Sequence, residues 1–118
     1  ADGCILEKGV VIENSAIGLR CRIGPGAQIR NSVLMGADYY DTAVDIESHQ
    51  AAGKPALGIG SNAVIDGAII DKNCRIGRGA RITNSNGQVS ADVSDDVFVR
   101  DSVVVVQKDS VIPPNWEM

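Results

Sequence analysis

Aromatic residues are scarce in this chain: one Phe, one Trp and two Tyr among 118 residues. Nucleic-acid modules stack bases on aromatic rings and hold the backbone in a basic field. Here Asp and Glu total 15 against 11 Lys and Arg, a formal charge of −4, so nucleic acid is not an expected partner. Long apolar runs are missing as well. No segment approaches the roughly 20 residues of a membrane span, and no signal-peptide pattern opens the sequence, so no membrane partner is expected. Cysteine is limited to Cys4, Cys21 and Cys74, widely spaced and without a CxxC pair. That is a poor disulfide framework and a poor zinc site; small buried thiols in a reducing compartment are expected instead.

Histidine occurs once, as His49. No GxSxG, no phosphate-cradling glycine loop and no cluster with metal-ligand spacing is present. The residues therefore predict no catalytic group, no metal site and no cofactor within the chain. The glycines of "IGPG" and "IGRG" are expected at corners, where a positive φ is useful. An initiator Met is lacking too, and "ADGCILEKG" enters patterned sequence at once, as expected of a fragment.

What the sequence has in quantity is a beat of six. Ile5, Val11, Ile17, Ile23, Ile29 and Met35 follow one another at that interval, and Val64, Ile70, Ile76 and Ile82 repeat it. Val106 and Ile112 carry it near the end. Four residues after most of these stands a small residue, such as Cys21, Ala27, Ala68, Cys74, Ala80 or Ser110. Neither the strand period of two nor the helix period of 3.6 accounts for this spacing. One short strand plus one corner does, and three such units close a triangular coil of about eighteen residues. The aliphatic residue points into the prism and the small one fits the tighter place beside the corner. Stacked coils pair in parallel, as in the hexapeptide β-helix. The expectation is an all-β single domain over residues 1–118, with about four to five coils.

Two segments break the beat. Residues 36–57 hold the His and both Tyr, and "AVDIESHQAA" within them predicts a short helix ending at Gly53. Residues 84–96 are acidic and turn-rich, with a turn expected at Asn86-Gly87. Both are expected as loops thrown out from corners. Their carboxylates (Asp38, Asp41, Asp45, Glu47, Asp92, Asp95 and Asp96) are expected on solvated faces. Beyond the last repeat, Pro113 and Pro114 stop further pairing and Trp116 is placed to cover the last coil.

The cations follow the beat. Lys72 stands two after Ile70 and Lys108 two after Val106, so both take the same corner position of their units. Arg75 and Arg81 precede inward aliphatics and are expected to point outward, and Arg78 is again at a corner. A corner lysine projects a mobile point charge suited to a phosphate or carboxylate.

Three strings carry a more specific likeness. "VLMGADYYDT", "GIGSNAVIDGAIIDKNCRIG" and "VVVVQKDSVIPP" resemble, in order and spacing, the C-terminal β-helix domain of plant-type and cyanobacterial ADP-glucose pyrophosphorylase (glucose-1-phosphate adenylyltransferase). The resemblance covers nearly the whole chain and implies a left-handed coil. It also implies a parent enzyme that joins ATP and glucose 1-phosphate into ADP-glucose and pyrophosphate with magnesium, for starch or glycogen synthesis. That chemistry belongs to an N-terminal nucleotidyltransferase domain outside this sequence. The β-helix would pack on that domain, contribute contacts to a tetramer and help bind the allosteric effectors 3-phosphoglycerate and phosphate. Lys72 in "IIDKN" and Lys108 in "VVVVQKDSVIP" match the lysines of the family's activator region, and Arg81 joins them as a candidate by proximity in sequence. Localisation would be the plastid stroma in a plant or alga and the cytoplasm in a bacterium. Two other readings stand beside this one. A hexapeptide acyltransferase would use His49 as general base, and a structural β-helix of another sugar-nucleotide pyrophosphorylase would bind no effector.

Overall fold

The computed structural model describes residues 3–39, 41–53, 55–84 and 87–118; the side chains of residues 43, 46, 49 and 50 also lie outside the described part. Short strands and corners alternate along the chain. The first coil is β1 (Ile5–Leu6), β2 (Val11–Glu13) and β3 (Ala16–Leu19). The second is β4 (Arg22–Ile23), β5 (Gln28–Arg30) and β6 (Val33–Gly36). After an excursion containing α1 (Ala43–Ala51), the third coil is β7 (Gly58–Ile59), β8 (Val64–Asp66) and β9 (Ala68–Ile70). The fourth starts with β10 (Arg75–Ile76) and β11 (Arg81–Ile82). A second excursion, with β12 (Ser90–Asp92) and β13 (Val97–Arg100), precedes its third side, β14 (Val103–Val106). A partial fifth coil holds β15 (Val111–Ile112), and Glu117 bridges back to Arg81.

Three sheets result, one per face of the prism. The first stacks β1-β4-β7-β10-β15, the second β2-β5-β8-β11, and the third β3-β6-β9-β14, all in parallel. One continuous core fills the prism. Ile23, Ile29, Ile65, Ile76 and Ile82 are fully buried in it, and each such side chain contributes roughly 1.5–3 kcal/mol by leaving water. Cys21 and Cys74 take small inward places, buried and free, as the spacing suggested. Desolvation raises their thiols to about 12 and about 11.

The beat is not six throughout. Leu6 stands over Ile23 and Ile12 over Ile29, so an uninterrupted coil takes 17 residues, not eighteen. The missing residue is always lost at the corner between the second and third faces. There a single left-handed residue, Asn14 or Asn31, turns the chain with one residue fewer than the other corners use. Consequently Ile5, Val11 and Met35 point outward and are exposed. Their neighbours Leu6, Ile12 and Leu34 hold the inward register instead, and Ile65 is buried where Val64 was expected. Likewise Ser32, not Val33, takes the small inward place. The pattern misled because inward and outward neighbours are both aliphatic here.

The excursions are more ordered than plain loops. In the first, Thr42 and Asp45 exchange side-chain to backbone hydrogen bonds of 3.0 and 3.1 Å, a reciprocal cap on the N-terminus of α1. The helix stops before Gly53, which has a φ of +71°. In the second, β12 and β13 pair antiparallel onto β14 and widen the third sheet. Val97 and Val99 drive this, since both are fully buried. The hairpin thus lies across the end of the third face, where a further coil would otherwise stack. Trp116 packs against the core at the same end. The Asn86 half of the expected turn lies outside the described residues.

Candidate functional site

The corner between the third and first faces gathers the chemistry. Its backbone rows are set by parallel hydrogen bonds: the Ala37 amide donates to the Leu19 carbonyl, Asn73 to Gly36, and Asp109 to Lys72. These bonds put Leu19, Gly36, Lys72 and Lys108 in one row, one residue per coil. Lys72 and Lys108 are therefore neighbours on successive coils, about 4.8 Å apart along the backbone, and both are exposed. Gly36 precedes them in the row with a φ of +87°, and a Cβ there would run into the Leu19 carbonyl oxygen. A glycine therefore leaves one flank of Lys72 without a side chain. Arg20 takes the same corner two coils nearer the N-terminal end, in left-handed backbone with a φ of +53°.

Asp38, at the start of the first excursion, lies against this pair. Its Oδ1 is 3.2 Å from the Lys72 Nζ. Its other oxygen accepts a 3.1 Å hydrogen bond from the Asn73 side chain, whose own Oδ1 accepts the Asp38 amide at 2.9 Å. Asn73 is buried and holds the left-handed corner position with a φ of +61°. The Asn73 hydrogen bond, then that of Lys72, and then the charges of Lys72 and Lys108 hold the Asp38 carboxyl below its ordinary range. Asp38 was expected as a solvated carboxylate; it is half-exposed but fixed from two sides.

Three residues further on, Asp41 departs entirely from its expected solvated place. It makes a two-pronged pair with Arg75, with nitrogen–oxygen distances of 2.8 and 2.9 Å. Both side chains are nearly closed off from solvent, at 9% and 6% exposure. Arg75 does point outward from the prism, but the first excursion folds over that face and buries it. Its guanidinium also donates to the Pro55 carbonyl at 3.2 Å, while the Leu57 amide donates to Asp41 at 3.0 Å. Both ends of the excursion are thus tied to one arginine. Asp41 hydrogen bonding raises the Arg75 pKa further above its already high value. Tyr39, Asp41, Asn73, Arg75 and Asp109 line a recess of about 370 Å³ beside the lysine corner.

The other expected residues fall elsewhere. Arg81 sits on β11 in the second sheet, one face round from the lysines. Its backbone pairs with the chain end through Trp116 and Met118. The side chain of His49, the alternative general base, lies outside the described residues. Among the described residues no three His, Cys, Asp or Glu side chains gather where they could hold a metal ion. Sequence reasoning missed Asp38, Asn73 and the Asp41–Arg75 pair. The one available signal was "MGADYYD", which sets two carboxylates three residues apart just after a glycine of the lysine row.

The family described as GLGC left-handed parallel beta-helix domain matches residues 1–116. The chain belongs to this family. The match extends over all five coils and both excursions, including the two lysines and the segment that carries Asp38 and Asp41. The prism is accordingly the left-handed β-helix of ADP-glucose pyrophosphorylase, a domain associated with glucose-1-phosphate adenylyltransferase.

Proposed function

We propose that this domain carries part of the allosteric effector site of ADP-glucose pyrophosphorylase and contributes to its assembly. Its partners would be the enzyme's own nucleotidyltransferase domain, other subunits of a tetramer, and the anions 3-phosphoglycerate and phosphate. The observation that supports this most is the adjacency of Lys72 and Lys108 on successive coils of one corner. Two lysines whose backbones stand about one strand spacing apart can turn their ammonium donors to the oxygens of one phosphoryl group. The coil fixes their backbones, so only side-chain freedom is lost when an anion bridges them. Arg81 is a weaker member of the set, because it would need the anion or a partner surface to reach round to another face.

On this reading the chemistry of ADP-glucose formation from ATP and glucose 1-phosphate stays with the nucleotidyltransferase domain, as does its magnesium. The parent enzyme would work in starch synthesis in a plastid or glycogen synthesis in bacterial cytoplasm. An anion bound at the corner would act by favouring one arrangement of the two domains over another, which requires different affinity for the two. The test is the activation curve of the full-length enzyme. A charge-assisted hydrogen bond is worth roughly 1.5–3 kcal/mol. Lys72→Ala and Lys108→Ala should each therefore raise the 3-phosphoglycerate concentration for half-activation by about tenfold or more. Curves that overlay the wild type would refute the assignment.

A further inference from the structure

The lysine corner already contains an anion of its own. We propose that Asp38 is a built-in competitor for the phosphoryl anion at Lys72 and Lys108, so that an incoming anion must displace it from Lys72. This inference rests on the effector reading above and adds the feature that sets the affinity of that site. Three observations carry it. The carboxylate is placed, not incidental: Asn73, buried and locked in the corner, holds both its backbone amide and one of its oxygens. The remaining oxygen faces the Lys72 ammonium at 3.2 Å. Both side chains are about half exposed, at 45% for Lys72 and 50% for Asp38, so the pair is open to exchange. An exposed ion pair of this kind is weak. It suits a site that must release its internal anion when an effector arrives.

The arrangement also fixes what moves. Asp38 and Asp41 both begin the first excursion, but only Asp41 is tied through a buried pair. An anion that takes Lys72 would free the exposed anchor and leave the buried one intact. The excursion would then stay on its face while the segment from Gly36 to Tyr39 loses one of its restraints.

Calorimetric titration of inorganic phosphate into the full-length enzyme tests this, comparing wild type with Asp38→Asn, Asp38→Ala and Lys72→Ala. Asp38→Asn keeps an oxygen for the Asn73 hydrogen bond while removing the charge, so the local fold is retained. A control, Glu7→Gln on the first coil, makes the same change in net charge away from the corner. With Asp38 as competitor, both Asp38 variants bind phosphate about three- to tenfold more tightly, as expected for removing a nearby like charge at the surface. The control binds as wild type, and Lys72→Ala binds more weakly. If Lys72→Ala weakens binding while both Asp38 variants bind as wild type or worse, the competitor role is overturned and the effector site stands. If Lys72→Ala has no effect either, the effector site itself falls, and the competitor with it.

Discussion

At the scale of single residues, the tightest constraint is the Asp41–Arg75 pair. Its two short hydrogen bonds lie beneath the first excursion, with both groups almost out of water. Removing one partner strands the other charge, which costs about 3–5 kcal/mol, whereas replacing both with apolar groups of similar size is often neutral. Arg75→Met and Asp41→Leu should thus each lower stability to urea by about that amount, and the double variant should recover most of it. Additive losses would show that the pair is not coupled. The inward thiols give a pH signature. Burial raises Cys21 from 9.0 to about 12, so its contribution is complete below pH 9. It is lost as pH rises from 9 towards 12, because the unfolded thiol releases its proton first. The unfolding free energy from urea titration should fall between about pH 9 and pH 10.5, by up to about 1.4 kcal/mol per pH unit for each such thiol. Cys21→Ala should shallow that fall. An unchanged slope would contradict the assignment of Cys21 as a desolvated thiol.

At the scale of elements, the corner between the second and third faces decides the register. Asn14 and Asn31 hold left-handed backbone there. The Asn14 amide donates to Asn31 at 2.8 Å, and Asn31 donates to Asp66 at 3.1 Å. Asparagine tolerates this conformation better than alanine, which loses roughly 1–2 kcal/mol in it. Asn31→Ala should therefore cost about 1–2 kcal/mol in chemical denaturation and Asn31→Gly distinctly less; equal costs would mean that the ladder, not the backbone, matters. This corner also shows why the repeat was legible and its register was not. Aliphatic residues at fixed spacing announced stacked coils. Ile5, Val11, Val33 and Met35 are aliphatic but outward-facing, so composition alone offered no means of choosing between neighbours. The second excursion was obscure for another reason. Val97 and Val99 alternate as any strand would, but pairing onto β14 is a tertiary choice that a local pattern does not encode.

At the scale of the whole molecule, a β-helix converts sequence spacing into spatial adjacency. Lys72 and Lys108 lie 36 positions apart in sequence, across the whole second excursion. The excursion leaves after β11 on the second face and rejoins the prism at β14 on the third, the next side of the coil, so the lysines still meet in one row. Their equivalent corner positions were readable from the beat, but their adjacency was not, because the beat is lost across the excursion. The partners of the site were hidden for a like reason: Asp38 reaches Lys72, and Asp41 reaches Arg75, only after the first excursion folds back over its face. The proposal that an anion bears on the enzyme at this corner rests on the adjacency of the two lysines. Calorimetric titration of 3-phosphoglycerate into the full-length enzyme, wild type against Lys72→Ala, Lys108→Ala and the double variant, tests that claim directly. One anion bridging both lysines predicts a loss of about tenfold or more for each single variant and no measurable binding at this site for the double. Wild-type affinity in the double variant would contradict it and leave the domain a structural and assembly role.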